Sequence, residues 1–294
     1  MKNKRKCKEN RSVLVIGSYQ DPVIKHFLEH VSQTKQARNR WVFLWEETFA
    51  TTTHVNDVGW QIGEKVFIRH DQVCGVFNRL VAQNKAKKST TEAYDNIVIF
   101  CNYLMDEVYP NVLNRPKYGM SNYSKLTQLA SIQPKVLKIP FSRQCVNKKW
   151  DDQYHELMWI FKSASSVRSI TTLLSEKDKK RYITEPVIFQ EFLKGKNIRV
   201  HVIGTQCLAH YCISKKTDYR YAITSILRVK LPNFILQDCI EITKQLGLTF
   251  AGIDLIQTGL GWFILEANTA AGYSYFETNA REISQAITDY WEAV

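Results

Sequence analysis

Apolar residues gather into runs and stripes from the start of the chain. Residues 13–17 (VLVIG) form a continuous apolar run ending in glycine, the pattern of a parallel strand covered on both faces. Asp21 and Pro22 have the character of an N-cap and a first helical residue. Val23, Ile24, Phe27, Leu28 and Val31 then recur on one helical face. Residues 41–45 (WVFLW) predict a second strand, and Gly75-Val76-Phe77-Asn78 a later strand of the same sheet. This is a βαβ beginning. It lacks G-x-G-x-x-G, so it predicts a nucleotide-type fold without evidence that a nucleotide binds there.

The polar stretch 83–90 predicts a surface loop, and a helical region rich in Tyr, Leu and Ile leads from it to Asn114-Arg115-Pro116. Residues 121–132 predict a short helix carrying Lys125, ended by Pro134. Between Phe161 and Tyr182 the pattern predicts a strand, a serine-rich turn and a charged helix. After Pro186 it changes to successive short strands: VIFQEFL, IRVHVIG, CLAHYCI and ITSILRV. A helix follows, with Leu236, Cys239, Ile240 and Leu246 on one face and Gly247 as its stop. Strands around 251–256 and 262–266 predict a hairpin turning at 258–261. The last helix carries Ile283, Ala286, Ile287, Tyr290, Trp291 and Val294 on one side.

Composition narrows the class. At 294 residues the chain is 45% hydrophobic and 23% charged, the balance of a globular protein rather than a fibrous or disordered one. No apolar run approaches the ~18 residues of a membrane span. The polar N-terminus is not a secretory signal. A cytoplasmic protein is therefore expected, with its seven cysteines as free thiols. Cys207, Cys212, His201 and His210 can be drawn as a metal site, but they fall in strand-like runs and read as packed side chains. The net charge of +12 suits nucleotide phosphates, an acidic protein substrate or nucleic acid, yet no nucleic-acid recognition motif accompanies it.

The candidate chemistry is concentrated in the C-terminal hairpin. Asp254 lies in an apolar run, and Glu266 and Asn268 stand two apart at the end of the next strand, on one face. Two carboxylates and an amide oxygen are hard donors, suited to Mg²⁺ with phosphate oxygens completing its octahedron. A carboxylate between Ile253 and Leu255 needs compensation of some kind. A second constellation, Phe189-Gln190-Glu191-Phe192-Leu193 with Gly195 and Asn197-Ile198-Arg199-Val200, can present backbone groups to a purine edge, or be an ordinary hairpin.

In this order, the pieces resemble the ATP-grasp superfamily. Within it they are similar to the ligase that adds glutamates to a ribosomal protein and to the graspetide ligases that macrocyclise ribosomally made peptides. PVIFQEFLKGKNIRVHVIG, DYRYA and LGLTFAGIDLIQTGLGWFILEANTAAG carry the likeness, with a weaker match over NRPKYGMSNYSKLTQLASI and IFKSASSVRSI. The resemblance implies an α/β ATP-grasp fold: a Rossmann-like pre-ATP-grasp domain (1–115), a central subdomain (116–186) and a C-terminal subdomain (187–294), the last two clasping ATP. It assigns Lys125 and Lys162 to ATP phosphates, and Gln190, Glu191, Phe192 and Leu193 to the adenine. Asn197, where the family often has Asp, is assigned to the ribose. Arg220 is assigned to the transferring phosphate or the acyl phosphate, Arg199 is a second catalytic candidate, and Asp254, Glu266 and Asn268 are assigned to magnesium. Ser163, Ser165 and Arg168 stand where the family has a glycine-rich phosphate loop, as alternative γ-phosphate holders.

The implied function is ATP- and Mg²⁺-dependent joining of a carboxylate to an amine or hydroxyl through an acyl phosphate. An acidic peptide or protein is the expected substrate, with no membrane partner and homo-oligomerisation left open. The alternatives are a ligase of small amino acids or a glutathione-like peptide, and a non-catalytic ATP-binding or nucleic-acid-binding protein.

Overall fold

The computed structural model describes residues 11–34, 41–80, 92–119, 124–145, 148–149, 158–163, 172–175, 182–183, 186–214, 223–277 and 281–294. The expected loop at 83–90, the serine-rich turn and the charged helix after it lie outside these residues. Two units divide the chain: residues 1–119 with 248–250 and 272–294, and residues 120–247 with 251–271.

In the first unit the strands Trp41–Trp45, Ser12–Gly17, Val73–Asn78 and Val112–Leu113 lie in that order, all parallel. Leu14, Ile16, Leu44 and Val76 are buried in one core cluster, as their uninterrupted apolar runs require. The helix Pro22–Gln33 starts as expected: Asp21 Oδ1 accepts from Val23 N at 2.8 Å, and proline fills the first position. The other oxygen of Asp21 meets Arg79 Nε at 2.7 Å in a nearly buried pair. Gly75 is required by the closing helix Glu282–Ala293, because a Cβ there would sit 2.0 Å from the Trp291 ring. A small antiparallel sheet, Thr53–Val55, Gly59–Ile62 and Val66–Arg69, has no counterpart in the sequence expectations. Its strands are too short, and too mixed in polarity, to show a period.

The second unit holds a four-stranded antiparallel sheet ordered Thr172–Leu173, Trp159–Ser163, Val187–Glu191, Ser142–Cys145. It also holds a five-stranded sheet ordered Ile223–Val229, Gln206–Ser214, Lys196–Ile203, Phe250–Thr258, Gly261–Asn268. The expected late strands and the 258–261 turn are all present. The helix Asn233–Gln245 buries Ile235, Cys239, Ile240 and Ile242, and Gly247 takes the left-handed conformation (φ 70°) that stops it. From the same helix, buried Asp238 accepts the backbone N–H of Lys135, Val136 and Leu137 at 2.8–2.9 Å, fixing the segment that enters the four-stranded sheet. The helix expected over 121–132 is found as Lys125–Ala130, with Ser124 Oγ accepting from Thr127 N as its cap.

Cys101, Cys207, Cys212 and Cys239 are free thiols. Cys74 corrects the expectation that all seven would be: buried on the strand Val73–Asn78, it is disulfide-bonded. Among the described residues, no helix is long and apolar enough to cross a membrane.

Candidate active site

The site is built on the hairpin Phe250–Thr258 and Gly261–Asn268. Asp254 pairs directly with Glu266, and Gly252 with Asn268. A bulge makes this possible. Leu255 pairs with Ile264, yet its neighbour Asp254 pairs with Glu266, so Leu265 is the extra residue. Without it, Glu266 would share a face with Ile264 and Leu255, opposite to Asp254; the bulge turns Glu266 to the Asp254 side. The sequence shows that Glu266 and Asn268 share a face, but not that a bulge decides which one. The unalternating Ile264-Leu265 pair is the only local sign of it.

Asp254 is 3% exposed, and Arg199 supplies its compensation: Arg199 Nε lies 2.9 Å from Asp254 Oδ1, with both side chains buried. Arg199 Nη1 also donates to the Gly252 carbonyl at 2.9 Å. Gly252 is what admits the guanidinium, since a Cβ there would come within 2.3 Å of Nη1 and 2.8 Å of Ala271 Cβ. On the far side, Lys125 Nζ stands 3.4 Å from Glu266 Oε2, and the lysine is itself buried. In register, His210 lies opposite Arg199, and Arg228 opposite His210. A row of polar and charged side chains thus crosses the sheet from Arg228 through His210, Arg199, Asp254 and Glu266 to Lys125.

The segment expected to serve as the nucleotide hinge leads into the strand Lys196–Ile203 that carries Arg199. Gly195 approaches the neighbouring strand so closely that a Cβ would meet the Gln257 carbonyl at 2.2 Å, so only glycine permits the turn after Leu193. Glu191 Oε1 accepts from Phe141 N at 2.8 Å, and Phe192 N donates to the Met158 carbonyl at 2.7 Å. The Phe192 N–H is therefore used within the protein, which moves attention to Leu193, half-buried in the turn. Asn197 is half-buried opposite Cys212. Lys162, 5% exposed, donates to Gln190 Oε1 at 2.6 Å, and Gln190, fully buried, donates to Ser142 Oγ at 2.9 Å. Gln190 thus orients Lys162, a role that its place in the sequence does not reveal. The strand Trp159–Ser163 ends at Ser163, while Ser165, Arg168 and Arg220 lie outside the described residues.

Asp254, Glu266 and Asn268 together offer hard oxygen donors on one face, which fits a magnesium ion completed by phosphate oxygens. Among the described residues, no three His, Cys, Asp or Glu side chains form a metal cluster, so the drawn Cys207–Cys212–His201–His210 site is absent. Burial pushes Cys207 up to about 12, and burial, then the Asp254 carboxylate, pushes Cys212 up to about 12. Neither is a thiolate near neutral pH.

Known proteins resemble this chain in sequence and in fold. A probable alpha-L-glutamate ligase of Haemophilus influenzae is 28% identical over 149 residues, 45% of this chain and 49% of that protein. The chain spans about half the length of the curated relatives it matches. Its fold is also that of a Chryseobacterium gregarium RiPP-associated ATP-grasp ligase in complex with ADP and a leader and core peptide. That likeness has TM-score 0.75 and 17% identity, over 95% of this chain and 96% of the other. The ATP-grasp ligase PsnB, complexed with minimal precursor, Mg and ADP, superposes with TM-score 0.73 at 20% identity, over 98% and 99% of the two chains. The ATP-grasp domain model matches residues 123–271, the stretch that contains the hinge, both buried lysines and the bulged hairpin. The chain belongs to the ATP-grasp family.

Proposed function

We propose that the protein is an ATP- and magnesium-dependent ligase that joins a side-chain carboxylate of an acidic peptide or protein to an amine or hydroxyl. The observation that carries the reading is the row in which Asp254 and Glu266, cross-strand partners, are each held by a buried cation, Arg199 and Lys125. Such a row, with Asn268 beside it, is prepared to exchange ion pairs for phosphate charge at little reorganisation cost. The glutamate-ligase name of the curated relatives and the precursor peptides bound by the fold neighbours support the carboxylate and the peptide respectively.

In this reading a substrate carboxylate oxygen attacks the γ-phosphorus of ATP. The bond from γ-phosphorus to the bridging oxygen breaks, and ADP leaves. The amine or hydroxyl then attacks the acyl carbon, the acyl carbon–oxygen bond breaks, phosphate departs and the nucleophile's proton is lost. Lys125 and Lys162 neutralise ATP phosphates, Asn197 takes the ribose, and Glu191 with Leu193 holds the adenine. Arg199, together with Arg220, stabilises the charge that builds on the transferring group. Magnesium, bound by Asp254, Glu266 and Asn268, would supply charge neutralisation at the phosphates. Ser163, Ser165 and Arg168 complete the γ-phosphate contacts.

Hydroxylamine added to enzyme, ATP, Mg²⁺ and a Glu/Asp-rich peptide is expected to trap a hydroxamate as ADP forms, and Glu266→Ala should form neither. AMP with pyrophosphate as products would overturn the acyl-phosphate reading. Equal ligation of free amino acids would overturn the peptide substrate.

A further inference from the structure

Gln128 makes an unusual pair of contacts. Its Nε2 donates to the Ala267 carbonyl at 2.6 Å, and its Oε1 accepts from Ala267 N at 2.8 Å. Ala267 lies between Glu266 and Asn268, on the last strand of its sheet. In an antiparallel pair, successive residues point their N–H and C=O groups to opposite sides. Those of Ala267 point away from the strand Phe250–Thr258, toward what would be an open sheet edge. Gln128 closes that edge as a partner one residue long. It is 3% exposed, so losing its amide would leave a backbone donor and acceptor unmade in a dry place.

The helix Lys125–Ala130 thereby addresses two consecutive positions with one face. Lys125 and Gln128, three residues apart, are its buried members. Lys125 meets Glu266, and Gln128 fixes Ala267, and with it the backbone that aims Glu266 on one side and Asn268 on the other. Across the hairpin Ile253 is the register partner of Ala267, a pair whose Ala267 backbone groups face the other way, so it is Gln128 that holds them. We infer that Gln128 is a positioning residue whose amide sets the aim of Glu266 and Asn268 at the bound metal. The inference rests on the proposed metal role of those two side chains. A glutamine–backbone clamp needs no charge and leaves both side chains free to turn to their ligand. Outer contacts of this kind are worth about 10–100-fold in metal affinity when removed.

The test is a titration of the full-length protein with Mn²⁺ in the presence of ADP, read by electron paramagnetic resonance. ADP binding without metal is measured beside it by calorimetry. Gln128→Met keeps the length of the side chain and removes both hydrogen bonds. It is expected to weaken Mn²⁺ binding about 10–100-fold while metal-free ADP binds as in the wild type. Wild-type Mn²⁺ affinity in Gln128→Met, with Glu266→Gln losing it, would overturn the positioning role and leave the metal site standing; a fall in thermal stability alone would then mark Gln128 as structural. Wild-type Mn²⁺ affinity in Glu266→Gln would instead overturn the metal reading, and this inference with it. If Gln128→Met does not fold, Gln128→Glu, which keeps the acceptor for Ala267 N and loses the donor to its carbonyl, is titrated with the same two outcomes.

Discussion

Gly252 shows how much of the site depends on an atom that is missing. The Arg199 guanidinium reaches both Asp254 and the Gly252 carbonyl because no Cβ stands there. In Gly252→Ala the new methyl would meet Arg199 Nη1 and Ala271 Cβ. The guanidinium is the end of a long side chain and can yield, whereas Ala271 Cβ is tied to backbone. Arg199 is therefore displaced first. Misplacement of a reacting contact by about 1 Å can cost about 100-fold in rate. The variant is expected to fold, by circular dichroism, and to form ADP about 100-fold more slowly. Wild-type turnover would show that the place of this guanidinium is immaterial. Residue types made Asp254, Glu266 and Asn268 legible in the sequence, because a carboxylate in an apolar strand needs an explanation. Arg199 as partner of Asp254, Gly252 as the opening for it, and Gln190 behind Lys162 were not legible. Each depends on a strand distant in sequence.

Elements with a strong period were legible, and those shaped by tertiary contacts were not. The continuous runs gave the parallel strands, and the apolar stripes gave the helices Pro22–Gln33, Asn233–Gln245 and Glu282–Ala293. The small sheet from Thr53 to Arg69 and the bulge at Leu265 were hidden, since neither leaves a periodic trace. The helix Pro22–Gln33 also carries a buried histidine. Burial, then the positive Arg281 and the nearby His26, hold His30 below its ordinary 6.5, with Asp289 pulling weakly the other way. The unfolded chain accordingly takes up a proton that the folded helix refuses. Stability rises with pH where the unfolded state binds more protons, so it falls as the pH drops below about 6.5, until the folded pKa is reached. Above that window His30 adds no slope. Urea midpoints are expected to fall on acidification from about pH 7 to 5.5, and more steeply in the wild type than in His30→Leu. Equal slopes in the two proteins would mean that His30 is protonated in the fold.

For the molecule as a whole, the net charge of +12 separates into two roles with different responses to salt. Among the described residues, the cations of the proposed chemistry, Lys125, Lys162 and Arg199, are at most 5% exposed, and water and ions screen them poorly. The remaining excess acts at a distance, drawing an acidic chain toward the protein before any contact forms. Salt shortens the reach of that field, from about 30 Å at 0.01 M to about 10 Å at 0.1 M. Raising the salt between those limits should therefore lower kcat/KM for a Glu/Asp-rich peptide, where capture is limiting. The value of kcat should hold, because the buried cations keep their strength once the peptide is seated. A control peptide in which the acidic residues other than the reacting one become Gln should start with a lower kcat/KM and respond little to salt. A parallel fall of kcat and kcat/KM would place the salt-sensitive charges inside the reaction itself. A flat kcat/KM for the acidic peptide would mean that the excess charge serves some partner other than the substrate.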